Sequence, residues 1–195
     1  MVASRSLRPA SWARTMETLI GLLAVTGMRI GEVIRLDISE INWADGLLTV
    51  RSGKFGKSRE VPLHPSTLAA LRAYSEHRCR MGRRLRTTTF FASIFGDHLN
   101  YDSVHRTFHR LVRRLGSQPH SKHHSPRLHD LRHTFAVRTL LDWYRDGADV
   151  SRRLHLLSTY LGHIDPSATY WYLSAAPELL ALAAERLESL DGELS

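Results

Sequence analysis

Apolar residues recur every three or four positions along most of this 195-residue chain, which is the period of an amphipathic helix. The first such stripe follows Ser11, a suitable N-cap, and stops at Gly27, a typical C-terminal residue. Residues 1–10 are predicted to form a loose leader. The later helices are predicted from Arg29, from Pro65, and over residues 101–115, 130–143, 150–161 and 177–190.

One segment breaks the helical period. Residues 47–51 alternate, a turn-rich stretch follows at 52–57, and a second short run passes through Val61 and Leu63. This pattern predicts a β-hairpin. The expected fold class is therefore α+β, mainly α, with a small antiparallel sheet of about three strands. A single domain is predicted over residues 11–195.

The composition limits the classes of function. With 43% hydrophobic and 24% charged residues, the chain is neither collagen-like nor mostly disordered. Its 27 basic and 19 acidic side chains give a net charge of +8, which predicts a polyanionic partner, either nucleic acid or an acidic membrane surface. No apolar run is long enough to span a membrane. The single cysteine, Cys79, fits a reducing compartment, so we expect a cytoplasmic protein.

Only three of the basic residues are lysines, and two of them, Lys54 and Lys57, lie in the predicted hairpin turn. Arginine favours bidentate contact with phosphate and stays protonated, whereas lysine can release a proton. The two turn lysines therefore either lie in a solvated loop by chance or take part in proton transfer.

Two other segments combine arginine with an acid or a histidine. Arg29 begins a predicted helix with Glu32 one turn later, and His129 and Arg132 are one helical turn apart. Taken alone, the first pair could be a surface ion pair and the second a solvated helix end. Together they supply two guanidiniums and an imidazole able to converge on one anion.

The last two segments contain a histidine and a group of aromatic residues. His163 follows a helix-ending glycine, and residues 169–173 include Tyr170 and Tyr172. Turn histidines and aromatic clusters are usually structural. In combination, however, the segments provide what is needed to break a phosphodiester bond without a metal. The candidates for this catalytic site are two arginines (Arg29 and Arg132), two histidines (His129 and His163), a turn lysine, for which Lys54 is the candidate, and one of the tyrosines at 170 and 172.

These motifs, in this order, resemble the catalytic domain of the tyrosine recombinase (phage integrase) family, including its Xer-type members. The resemblance runs from about Thr15 to about Leu190. It is carried by TGMRIGE at residues 26–32, GKFGKSREVPL at 53–63, HDLRHTFA at 129–136, LGH at 161–163, and a tyrosine nine positions after His163.

The resemblance implies roles for the residues around the phosphate. Arg29 and Arg132 match the two phosphate-clamping arginines, and Glu32 matches the acidic residue that supports them. Lys54 matches the general acid toward the 5′ oxygen, with Lys57 as the alternative.

It also implies which residues handle protons and which one attacks. His129 matches the proton-handling histidine, and His163 matches a hydrogen-bond donor to the phosphate. Tyr172 matches the nucleophile, with Tyr170 as the rival. The implied reaction forms a 3′-phosphotyrosine link, frees a 5′-hydroxyl and exchanges strands between two duplexes, without a metal, ATP or other cofactor.

The sequence departs from the family in one respect. Family members usually carry an N-terminal core-binding domain that grips the opposite face of the DNA, but only 28 residues precede Arg29 here. We therefore expect that domain to be absent. The apolar helix predicted at 177–190 either docks into a neighbouring subunit, giving a tetramer on double-stranded DNA, or packs on its own domain.

Three alternatives remain open: a type IB topoisomerase, a non-catalytic DNA-binding protein derived from an integrase, and a metal site. The metal site would use the histidines at 120, 123, 124, 129 and 133, but a polar loop is the better interpretation because cysteine and acidic partners are missing. DNA phosphate contacts are predicted at Arg106, Arg110, Arg113, Arg78, Arg80, Arg83 and Arg84.

Overall fold

A computed structural model describes residues 3–51, 58–82, 85–116, 126–163, 165 and 169–172. The described part is mostly helical with one small sheet, as the sequence predicts. Its helices are α1 (Ala3–Thr26), α2 (Ile30–Arg35), α3 (Pro65–Cys79), α4 (Tyr101–Arg114), α5 (Leu128–Arg145) and α6 (Val150–Leu161). Its strands are β1 (Ile41–Asn42), β2 (Leu47–Val50) and β3 (Arg59–Pro62), and a 3₁₀ turn covers Ile38–Glu40. Residues 169–172 are also helical.

The chain divides into two compact units, residues 1–132 and 133–195. The first contains α1 to α4, the sheet and the first turn of α5. The second contains the rest of α5, together with α6 and the helical residues 169–172. Each unit is described by itself below.

Helix α1 begins earlier than the sequence predicts. It is helical from Ala3, so Ser11 is not its N-cap and the predicted loose leader is wrong for residues 3–10. Residues 3–10 include the helix formers alanine, leucine and arginine but also Pro9, which disfavours a helix, so propensity alone does not predict this start. Ser11 instead uses its hydroxyl in a 2.9 Å contact with His77 Nε2. The predicted end is confirmed, since Gly27 has a φ of +61° and its N–H donates to the Leu23 carbonyl.

The sheet confirms the predicted hairpin. Strand β2 pairs antiparallel with β1 on one side and β3 on the other, with Leu48 opposite Val61 and Val50 opposite Arg59. Leu48 and Val61 are both fully buried. Because a one-residue slip would turn these two side chains to solvent, burial fixes the register.

The core of the first unit lies where α3 packs on α1. Tyr74 of α3 is buried, and its hydroxyl contacts Thr15 Oγ1 and the Ala92 N–H, each at 3.3 Å. Its ring packs against Phe90 and Phe91, with centroids 5.3 and 5.1 Å away. These contacts attach the loop after α3 to the helical layer.

Helix α4 has the predicted bounds to within one residue, but its apolar stripe is only partly buried. Val104 and Phe108 are buried, whereas Leu111 is 37% and Leu115 80% exposed. The stripe is covered only near its N-terminal half, where Trp12 Nε1 donates to Thr107 Oγ1 at 3.1 Å. The C-terminal end of the stripe is therefore exposed in the described structure.

The second unit has a core of its own between α5 and α6. Tyr172 joins this core and is 5% exposed. Asp149 caps α6 by accepting from the Arg152 N–H at 2.9 Å, and Gly162 ends it with a φ of +69°. The aliphatic members of the cluster are Ala136, Leu140, Val150, Leu154, Leu157 and Leu161.

Candidate functional site

In the first unit, one buried carboxylate joins two arginines. Glu32 Oε1 accepts from Arg29 Nη1 at 3.1 Å, and Glu32 Oε2 accepts from the Arg29 backbone N–H at 2.8 Å. Arg59 binds the same carboxylate through two bonds, Nη1 to Oε1 at 3.0 Å and Nη2 to Oε2 at 2.7 Å. Glu32 therefore caps α2, orients the Arg29 side chain and fastens the start of β3 to both.

The arginines keep Glu32 ionised despite its burial. Burial alone would raise its pKa, but the hydrogen bonds from Arg59 and from the Arg29 backbone offset this, so the pKa lies below its ordinary value of 4.5. A carboxylate with only 6% of its side chain exposed can stay charged because both oxygens accept from positive groups.

Arg59 is a site residue that the sequence analysis missed. The signal was present in the strand period, because Arg59 and Val61 lie on the same face of β3 and Val61 is fully buried. A charged side chain in line with a buried one requires an ionic partner. Only the fold identifies that partner as Glu32.

Arg132 lies close to the same region in the first unit. Its side chain is almost completely buried, at 2% exposure, and Nη1 donates to the Gly27 carbonyl at 2.8 Å. Gly27 is two residues before Arg29, so the turn between α1 and α2 brings the two predicted clamping arginines into one neighbourhood. The turn has this shape because Gly27 accepts a left-handed backbone.

His129, one helical turn before Arg132, completes this group. Its pKa lies below the ordinary 6.5, first because of desolvation and then because of the positive charge of Arg132. Arg127 and Arg29 act in the same direction, and Asp130 acts against them. Together with the hydrogen bond from Arg132 to the Gly27 carbonyl, these effects place Arg29, His129 and Arg132 in one neighbourhood. We name Arg29, Glu32, Arg59, His129 and Arg132 the arginine cluster.

We expect a titration of His129 to have its midpoint below 6.5. Because the folded chain binds this proton less tightly than the unfolded chain, the effect on folding has a definite sign: stability falls as the pH is lowered from 6.5 toward the folded-state pKa. NMR of ¹³C-labelled histidine would measure the midpoint. Asp130→Asn should lower the midpoint further, because the carboxylate opposes the shift. A midpoint at or above 6.5 would contradict the assignment.

In the second unit, Tyr172 lies against two imidazole rings. The ring of His163 stacks on it with centroids 6.0 Å apart and an interplanar angle of 20°. The ring of His133 lies 5.3 Å from it. His163 Nδ1 is also 2.7 Å from Thr169 Oγ1. The structure thus brings His163 and Tyr172 together and adds His133 and Thr169, which the sequence analysis had not assigned to the site.

The two candidate tyrosines differ in their surroundings. Tyr170 is 56% exposed, whereas Tyr172 is buried beside His163. Trp171 lies between them in sequence and is 59% exposed. Of the two, Tyr172 is the one that contacts His163.

Several predicted residues lie outside the residues that the structure describes. They are Lys54 and Lys57, Arg83 and Arg84, His120, His123 and His124, and the predicted helix at 177–190. Within the described residues, no group of three or more His, Cys, Asp or Glu side chains is placed to hold a metal ion. Nor does any helix there have the length and apolarity to cross a membrane.

The arginines predicted to contact DNA fall into two classes. Arg106, Arg110 and Arg113 are all exposed on α4, and Arg80 is exposed after α3. Arg78 requires a correction, since it is 7% exposed and its Nη2 donates to the carbonyls of residues 87 and 89, at 2.7 and 3.0 Å. Its guanidinium is occupied in holding the loop after α3, so it is not available for phosphate.

Comparison with known proteins identifies the family of the chain. The sequence matches the Phage integrase family over residues 5–178. The chain belongs to this family. The resemblance inferred from the motifs is therefore confirmed, and so is the fold class.

Individual relatives of this chain are named as integrases or recombinases. A Sinorhizobium fredii protein named as an integrase/recombinase is 44% identical over 93% of the chain and 57% of its own length. Tyrosine recombinase XerC of Pelobacter propionicus is 36% identical over 79% of the chain and 45% of its length. The chain thus spans about half the length of the curated relatives it matches.

Solved structures show the same fold. A crystal structure of XerA recombinase has a TM-score of 0.71 at 25% identity, covering 94% of this chain and 60% of XerA. The XerH site-specific recombinase bound to its palindromic difH substrate has a TM-score of 0.69 at 23% identity, covering 92% of this chain and 47% of XerH. At that identity the second match shows the fold alone.

Proposed function

We propose that this chain is the catalytic domain of a tyrosine recombinase, which cuts and rejoins DNA strands through a covalent 3′-phosphotyrosine link. The observation that carries the proposal is the pairing of Tyr172 with His163, with ring centroids 6.0 Å apart, in a chain of the phage integrase family. This packing holds the phenol of Tyr172, which is the nucleophile of the proposed reaction, next to the imidazole that would donate a hydrogen bond to the phosphate.

The arginine cluster would stabilise the transition state. Negative charge grows on the non-bridging oxygens as the fifth bond to phosphorus forms, and guanidiniums offer paired, directed N–H donors for it. Arg29 and Arg132 take this role. Glu32 is a positioning residue, because its carboxylate orients Arg29 and does not need to touch the DNA.

The remaining residues are assigned roles by following the protons that move during the proposed reaction. Tyr172 Oη forms a bond to phosphorus while the bond from phosphorus to the 5′ oxygen breaks. The phenol proton leaves to a base, for which His129 is the candidate because its lowered pKa leaves it neutral near pH 7. The departing 5′ oxygen receives a proton from Lys54, with Lys57 as the alternative donor. His163 donates a hydrogen bond to the phosphate.

The relatives favour recombination over the alternatives. The curated proteins described above are named as recombinases, and no predicted catalytic position in the sequence is replaced. A type IB topoisomerase would share the tyrosine chemistry but reseal the same strand. A reaction between two distinguishable duplexes separates the two functions, because only a recombinase joins a strand of one to a strand of the other.

The test uses a nicked suicide duplex, from which the fragment carrying the 5′-hydroxyl diffuses away and traps the covalent link. We expect a protein–DNA adduct on a denaturing gel, formed equally well in the presence of EDTA. If no adduct forms at any salt concentration, the proposed activity of this chain is wrong.

Double-stranded DNA is the proposed partner, and the exposed arginines of α4 are the proposed phosphate contacts. Each lost contact lowers the slope of log K against log salt by about 0.9. Replacing Arg106, Arg110 and Arg113 together with Gln should therefore lower the slope by about 2 to 3 and weaken binding to any duplex. Arg145→Gln, an exposed arginine of α5 paired with Asp142, is the matched control and should leave the slope unchanged. An unchanged slope in the triple variant would exclude this surface.

We further propose that copies of the chain assemble on DNA through the segment 177–190, and that the protein acts in the cytoplasm. Among the solved structures of similar fold, one is a lambda integrase dimer bound to a core site. Deleting residues 177–195 should leave duplex binding by a single copy and reduce the formation of larger complexes on longer DNA. Analytical ultracentrifugation with labelled duplex measures both.

A further inference from the structure

A buried threonine contacts the histidine of the proposed catalytic site. Thr169 has no exposed surface, and its Oγ1 lies 2.7 Å from His163 Nδ1. This is a short hydrogen bond between two side chains that are six residues apart, within one unit. The threonine's full burial makes the hydrogen bond valuable, because a buried hydroxyl without a partner is costly.

The backbone of His163 is fixed independently of this bond. Gly162 takes a left-handed conformation at the end of α6, and the His163 N–H donates to the Ser158 carbonyl at 2.9 Å. The imidazole also stacks on Tyr172. The Thr169 hydroxyl faces Nδ1 of this ring, so Nε2 is the ring nitrogen that points away from Thr169.

A neutral imidazole carries one N–H and one lone pair, and its partners decide which nitrogen has the proton. A phosphate oxygen only accepts, so the ring nitrogen that meets it must be an N–H donor. We propose that Thr169 is a positioning residue that donates its O–H to His163 Nδ1 and so keeps the proton of the neutral ring on Nε2. This inference rests on the function proposed above, in which His163 donates to the phosphate.

The tautomer can be measured without any activity. In protein labelled with ¹⁵N-histidine at a pH where His163 is neutral, two-bond ¹H–¹⁵N correlation spectra distinguish a protonated ring nitrogen from one with a lone pair. We expect Nε2 of wild-type His163 to be protonated and Nδ1 not. Thr169→Val, which keeps the shape and removes the hydroxyl, should give a mixture of tautomers, whereas Thr169→Ser should keep the wild-type pattern.

The same variants are then assayed on the suicide duplex. For a metal-bound histidine, loss of such an outer partner reduces activity by about 10- to 100-fold. We expect a loss of the same order here, with Thr169→Val forming adduct more slowly at unchanged duplex affinity. Thr169→Ser should stay within about threefold of wild type. Thr159→Val is the matched control, because this α6 threonine is exposed and its hydroxyl only donates to the His155 carbonyl.

The outcomes separate the two proposals. Wild-type protein with its proton on Nδ1, or Thr169→Val that forms adduct at the wild-type rate, overturns the role of Thr169 while the recombinase function stands. If wild type forms no adduct but shows the expected tautomer, the proposed function fails and the Thr169–His163 bond is structural only. Should Thr169→Val not fold, Thr169→Ala, which also removes the hydroxyl, takes its place in both measurements.

Discussion

Tyr172→Phe is expected to abolish the covalent adduct with DNA while leaving duplex binding intact. The substitution removes only the phenolic oxygen, which the proposed reaction joins to phosphorus, so adduct formation should fall by at least about 10³-fold. The ring itself, which packs in the core of the second unit and stacks on His163, is kept. The measurement is a denaturing gel after incubation with the nicked suicide duplex, alongside a native gel for binding.

Tyr170→Phe is the matched control for this experiment. Tyr170 is two residues away and 56% exposed, so removing its hydroxyl should affect neither folding nor adduct formation. The reverse result, with loss of adduct in the Tyr170 variant alone, would show that the nucleophile has been assigned to the wrong tyrosine. Adduct formation by the double variant would show that neither of these two tyrosines is the nucleophile.

Arg59→Met should destabilise the chain by about 3 kcal/mol. The change leaves the buried Glu32 carboxylate without its bidentate partner, and breaking a buried ion pair from one side typically costs about 3–5 kcal/mol. The lower end applies here because Arg29 still donates to both oxygens of Glu32. Urea denaturation followed by circular dichroism gives the free energy of unfolding.

Two further variants test the cause of this loss. Arg51→Met removes an exposed arginine that lies 3.8 Å from Glu40, and it should change stability by less than about 0.5 kcal/mol. Adding Glu32→Gln to Arg59→Met removes the stranded charge and should recover part of the loss. If Arg59→Met is as stable as wild type, the Arg59–Glu32 pair contributes no net stability.

The pH dependence of the Glu32 interaction has a definite sign. The folded-state pKa of Glu32 is below its ordinary 4.5, so its contribution to stability is complete above that value and is lost as the pH falls through the folded-state pKa. The difference in stability between wild type and Arg59→Met should therefore shrink in acid and stay constant near neutral pH.

The sequence predicted best those elements whose signals are local. The bounds of α6 were predicted to the residue and those of α4 to within one, since periodicity and capping residues identify both. The hairpin was equally clear, because alternation and turn residues coincide. The start of α1 was missed because residues 3–10 offer no capping signal strong enough to compete with Ser11.

The errors at the site come from side-chain contacts that the local sequence pattern does not reveal. Arg78 belongs to an arginine-rich stretch that reads as a phosphate-binding surface, yet the fold places its guanidinium against the carbonyls of residues 87 and 89. Arg59 and Thr169 were overlooked for the opposite reason. Neither residue lies in a sequence motif that indicates a role. Only the folded structure shows that Arg59 contacts Glu32 and that Thr169 contacts His163.

Arginine serves this protein in two physically different states. The side chain of Arg132 is already immobilised when the protein folds, so an anion that meets it does not have to freeze a long flexible chain, a loss of up to about 2 kcal/mol of rotamer entropy. The arginines of α4 are exposed, and Arg106 and Arg110 make only long hydrogen bonds of 3.4 and 3.5 Å within the helix, so they keep more of that freedom. A preorganised side chain such as Arg132 suits the binding of a single phosphate at a fixed position. A mobile side chain suits the DNA backbone, whose shape varies with the base sequence. Arginine can therefore serve in both kinds of contact.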